Sequence, residues 1–201
     1  MTFAAGVLLG AGDLLLQRNL PYPWANLANS SAVWALAAFA LGRWLRRDWK
    51  RSGLAGVTLL VVAVEVYYVA AVVLLNDSVQ NLWAASTLLW LCFGVLAGGI
   101  FGAAGGLSRG EHGWQRIVSS ALPGAVLLAE AAMLAARGAD AQRSPGYRTD
   151  SLQTAAIEAV LGVVLLSVMA RDTRSRVQVI AGGVVLAAIG FGAFAAAGFS
   201  G

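Results

Sequence analysis

Apolar residues in this chain run in blocks of about 20, divided by short polar stretches, and that rhythm excludes most folds at once. Twenty residues of α-helix rise about 30 Å, the thickness of a bilayer's hydrocarbon core, so each block reads as one crossing. The blocks fall at 2–20, 27–45, 53–75, 82–107, 116–137, 151–170 and 177–199. The expected fold is all-α: a polytopic membrane helix bundle of about seven transmembrane helices, with residues 1–201 forming one transmembrane bundle. Only 12% of residues are charged, about half the fraction of a soluble domain, and the mean hydropathy is +0.72. The pI of 9.8 would suit a nucleic-acid binder, but the charges stand between the blocks. There they set topology and meet lipid head groups, so the expected partner is the lipid bilayer and no nucleic acid.

The same charges orient the chain. Arg43, Arg46, Arg47, Lys50 and Arg51 follow the second block, Arg109 and Arg116 the fourth, and Arg171, Arg174 and Arg176 the sixth. With seven crossings these ten of the 14 basic residues share one side, which places the amino terminus inside and the carboxyl terminus outside. The outer side holds Arg18, Arg137, Arg143 and Arg148, and its longest connection is expected at 138–150, with Pro145-Gly146 as a turn signal. No cleavable signal peptide is expected, because the first block lacks a basic leader and contains Asp13. Arginine far outnumbers lysine and Ala and Gly are abundant, which points to a GC-rich bacterial genome and so to a bacterial plasma membrane.

Gly94, Gly98, Gly102 and Gly106 recur every fourth residue, as do Gly6 and Gly10, and such stripes let helices pack closely in lipid. Gly102–Gly106 lacks the Lys-Ser/Thr ending of a phosphate loop. Cys92 is the only cysteine, which excludes an internal disulfide and a thiolate metal site; it reads as a small core residue. His112, beside Glu111 in a charged loop, reads as solvated. No metal and no cofactor are expected.

Four acids lie inside the blocks: Asp13, Glu65, Glu130 and Glu158. An ionisable group at that depth costs about 2.5–3.5 kcal/mol on insertion scales, which makes each a functional candidate. On the expected topology all four fall in the outer half of the membrane, roughly 9 to 15 Å below its surface. Asn26, Asn29 and Ser30 continue into Val33 and Trp34 at helical spacing, Gln17 shares the face of Asp13, Tyr68 that of Glu65, and Thr154 that of Glu158. Trp83, Ser86, Thr87 and Trp90 reach the same level. The expected picture is an outward-facing pocket walled by aromatics and lined with acids. A single membrane acid can instead pair with Ser, Asn or Tyr on a neighbouring helix and lock the bundle. Four carboxylates together, with no Lys or Arg among them, cannot all be ionised in a low dielectric, so the pocket either holds protons or binds a cation.

Protons make it an enzyme: a membrane-embedded terpene cyclase whose buried carboxylic acid protonates an alkene or epoxide of a prenylated or isoprenoid substrate, with aromatic faces steadying carbocations. In that reading Glu65 leads, Glu158 and Glu130 are its partners, Asp13 shapes the site, and Asn26, Asn29, Gln17, Trp34, Tyr68, Trp90 and Thr154 bind substrate. No D-D-x-x-D or D-x-D-D segment occurs, so magnesium-diphosphate ionisation is not expected. In layout the whole chain resembles the integral-membrane terpene cyclases, and Glu65 in Val64-Glu65-Val66-Tyr67-Tyr68 is similar to a glutamate in an early span of the fungal enzymes. Their second acid, near the carboxyl end, has no counterpart in span seven, so the resemblance implies that Glu158 serves. The segment from Asn26 to Trp34 resembles that of a family of small uncharacterised actinobacterial membrane proteins. A bound cation or solute would instead make the chain a transporter, or a substrate-binding membrane subunit of an uptake system. The outer-half site, Gly-rich first span and small size resemble the vitamin-binding subunits of such systems. A structural or assembly subunit is the third possibility.

Overall fold

The computed structural model describes residues 1–110, 113–170 and 172–196, so Glu111, His112 and Arg171 lie outside the described residues. These form eight α-helices: α1 (Thr2–Asn19), α2 (Trp24–Ala28), α3 (Ser31–Trp44), α4 (Trp49–Leu75), α5 (Ala85–Leu107), α6 (Gly113–Ala139), α7 (Pro145–Val168) and α8 (Thr173–Ala196). A 3-10 turn, Val79–Trp83, precedes α5. Among the described residues there is no strand. Five helices, α4 to α8, are long and apolar enough to cross a membrane, so the chain is a helical, multi-pass membrane protein. α1 carries Asp13, Gln17 and Arg18, and α3 has only 14 residues, about 21 Å of helix; neither meets that length and apolarity.

The helices divide into two compact units. The first comprises Met1–Leu20 and Trp34–Arg109; the second comprises Pro21–Val33 and the described residues from Gly110 on. In the first unit α4 packs on α1 and α5. Glycine sets how near they come: a Cβ on Gly10 would lie 2.1 Å from the Ala63 carbonyl oxygen, and one on Gly98 2.5 Å from that of Gly56. Lipid supplies no hydrophobic drive between helices, so close backbone contact takes over that role. Leu59 and Leu60 of α4 form the core with Ala38 and Leu41 of α3. Arg43 donates to Ser108 Oγ at 2.7 Å and Arg109 to the Arg43 carbonyl at 3.0 Å, so the basic ends of α3 and α5 lie together. Asp48 caps α4 by accepting from Lys50 N and Arg51 N at 3.1 Å each. Those bonds, the one from Arg51 foremost, hold its carboxyl below the usual carboxylate range.

In the second unit α6 packs on α7 and α8, with Ala121, Leu166 and Val179 at the core. Gly124 of α6 meets Gly162 of α7, and Gly138 meets Leu152, which fixes an antiparallel register.

Three sequence expectations are corrected. The second block is not one helix: the chain breaks at Asn29 and Ser30, between α2 and α3, because Ser30 accepts from Val33 N at 3.3 Å and starts a new helix. Pro145-Gly146 is no turn; Ser144 caps α7 and Pro145 opens it, leaving only 140–144 as connection. Cys92 is exposed, since the inward face of α5 belongs to the Gly94, Gly98 and Gly102 stripe on its other side.

Gly98→Val should lower the melting temperature of the detergent-purified protein, corresponding to about 1–3 kcal/mol of overpacking. Gly12→Ala, whose Cβ meets nothing within 4 Å, should leave it unchanged. Equal melting temperatures for Gly98→Val and the parent would refute the close packing of α4 on α5.

Candidate functional site

The α6–α7 register brings Glu130 level with Glu158, and the two acids form a pair within the second unit. Both side chains are buried, Glu130 at 6% exposure and Glu158 at 0%. Glu130 is committed. Its Oε1 accepts from Ser31 N at 3.2 Å and its Oε2 from Ala32 N at 2.6 Å. The first amides of a helix have no partner within it, and at a buried break there is no bulk water to supply one. A carboxylate there satisfies two donors and meets the positive end of the helix dipole. Arg137, two turns further along α6, adds its attraction to Glu130.

Glu158 is not committed. Neither of its carboxyl oxygens has a hydrogen-bond partner. The Ser30 hydroxyl lies near both acids, but no bond of proper geometry reaches Glu158. Four residues before it, Thr154 accepts from Asn26 Nδ2 at 3.2 Å and donates to the Asp150 carbonyl at 2.8 Å, which ties α2 to α7.

The first unit has a polar group of its own. Asp13, 4% exposed, accepts from Trp34 Nε1 at 2.9 Å through Oδ2, while its buried Oδ1 has no partner. One turn on, Gln17 Oε1 accepts from the Tyr67 hydroxyl at 3.3 Å, and Gln17 Nε2 is buried without a partner. Tyr67 meets the ring of Tyr68 edge-on at 5.6 Å.

Of the four acids expected in one pocket, the structure thus joins Glu130 with Glu158, sets Asp13 among Trp34 and Gln17, and turns Glu65 outward. The reason lies in helical geometry. Leu59 and Ala63 of α4 face α1, Gly56 and Leu60 face α5, and at 100° per residue Glu65 falls on the opposite side. Asn29 and Trp90 are exposed as well, Trp90 resting edge-on against Phe93. Tyr68 is half-buried. Sequence reasoning passed over Tyr67 and the amides of Ser31 and Ala32. Tyr67 carries no periodic signal that links it to Gln17, fifty positions away. The amides were findable, because Asn29-Ser30 ahead of an apolar run is a helix-start signal. Among the described residues no three His, Cys, Asp or Glu side chains group as a metal site.

The two acids should respond oppositely to truncation. Glu130→Ala, which strips two buried amides of their acceptor, should cost about 1–3 kcal/mol. Glu130→Gln, which keeps one acceptor, should cost less, and Glu158→Met should leave stability unchanged or raise it. Thermal unfolding in detergent at neutral pH measures all three; a Glu158→Met loss as large as that of Glu130→Ala would contradict the assignment.

No curated protein and no solved structure matches the chain. The resemblance to terpene cyclases therefore gains no support from relatives, whereas a small multi-pass family without assigned activity is compatible with what is found. Residues 1–198 match the family of unknown function DUF6518, and the chain belongs to that family.

Proposed function

We propose that the protein is an ion-coupled membrane carrier that takes up a proton or small cation at Glu158, in a bacterial plasma membrane. The observation that carries this reading is a fully buried carboxyl with both oxygens unpartnered, set beside a second acid that is already occupied. Two neighbouring acids in a low dielectric do not both carry charge without a cation between them. With Glu130 fixed on the α3 amides, Glu158 is the member free to bind and release. A broken helix beside intramembrane acids is also how carriers build their ion sites.

In this reading α2 and α3 together make one interrupted crossing, about twenty residues from Trp24 to Trp44, and α1 makes another. That gives seven crossings with the amino terminus inside. The arginine-rich connections support it, as does the contact between the basic ends of α3 and α5. Single cysteines placed at positions 47 and 142 in a Cys92→Ser background should be labelled by an impermeant maleimide from opposite sides of inverted vesicles. Labelling from one side only would overturn the topology.

Glu158 also favours a second reading, the acid-initiated cyclase of a prenyl chain, because a buried, unpartnered carboxyl can serve, when protonated, as the proton donor such chemistry needs. It ranks behind the carrier because Glu65, the acid expected to lead that chemistry, is turned outward.

The purified chain in proteoliposomes, under an imposed pH gradient and with a panel of amines, amino acids and inorganic cations, separates the two. At least one condition should give proton movement several-fold above empty liposomes, and Glu158→Gln should return it to background. Proton flux at background throughout, with turnover of a farnesylated or epoxidised substrate, would replace the carrier by the cyclase.

A further inference from the structure

The outward acid on α4 calls for a separate explanation. Glu65 lies about 15 Å along the helix from Leu75 and about 24 Å from Trp49, so a short carboxylate side chain reaches neither membrane surface. It is exposed on the face opposite the seams with α1 and α5, among Leu54, Val69 and Val73, which are 68%, 47% and 70% exposed. It makes no hydrogen bond or ion pair among the described residues. The other three membrane acids are all buried inside the protein. Lipid tails offer a carboxyl group no donor, and intramembrane ionisable residues are retained where another group meets them.

We infer that this face of α4 docks a transmembrane helix of a different chain, one that carries a Lys or Arg at mid-membrane depth. Charge complementarity selects this occupant. A second copy joined about a two-fold axis on this face would bring Glu65 against Glu65, acid against acid. A lipid head group lies too far away along the helix. A basic side chain on a neighbouring helix neutralises the carboxylate, and the apolar residues around Glu65 supply the flanking contact surface. This docking is independent of the ion site at Glu158 and holds whether the chain is a carrier or an enzyme.

The test uses the full chain, fluorescently labelled at its amino terminus, in phosphatidylcholine vesicles with acceptor-labelled synthetic polyleucine helices that carry a central Lys, Leu or Glu. Energy transfer should show the Lys helix binding about tenfold or more tightly than the Leu helix. The preference should vanish in Glu65→Gln and persist in Glu65→Asp. Both substitutions lie on an outward face, so melting temperature should match the parent and exclude misfolding. Equal binding of the Lys and Leu helices would overturn the proposal. Self-association of the chain that depends on Glu65 and resists the Lys helix would overturn it too, in favour of a second copy.

Discussion

A backbone N–H buried inside a protein has no water to turn to, and this chain meets that constraint at the start of α3 with a side chain rather than with more helix. Ser30 takes the amide of Val33, and Glu130 takes those of Ser31 and Ala32. The break between α2 and α3 is tolerable because a carboxylate stands ready there, and Gly124 and Gly162 let α6 and α7 approach in the register that sets a second acid, Glu158, beside it. Small residues thus fix the register, the register pairs the two acids, and one of the pair holds the helix start.

Once Glu130 is spent on those amides, its neighbour is left in an unusual position. Buried polar groups are almost always paired, and each exception asks for a reason. Glu158 is such an exception on both oxygens. The locking role open to any membrane acid fits Glu130 well, and it fits Asp13 through the oxygen that Trp34 engages. It does not fit Glu158, which locks nothing, nor Glu65, which faces away from the helices that would need locking. The four acids are therefore chemically unlike, although a sequence presents them as four equivalent interruptions of apolar runs.

Helix existence was legible from the residues, because block length and apolarity are sums over neighbours in the chain. The expected starts of α4 to α8 and the expected ends of α4 to α7 lie within a few residues of those observed, apart from the α6–α7 connection, where both helices extend into the expected loop. The expected end of the last span, at 199, lies outside the described residues. The glycine stripes on α1 and α5 also meet their partners as expected. The second block misled because its average apolarity hides a local event: Asn29-Ser30 offers the backbone another set of hydrogen bonds, and the helix starts again.

By itself, then, the sequence determined a membrane-embedded all-helical chain, the charge asymmetry of its connections, and the list of acids that water could not be solvating. Tertiary structure alone decided which way each acid points and what it meets. The physical reason is that a side chain's azimuth acquires meaning only when neighbouring helices occupy the other sides of its own. The partners that matter also come from far along the chain, 99 positions between Ser31 and Glu130 and 128 between Asn26 and Thr154, where no local pattern reaches.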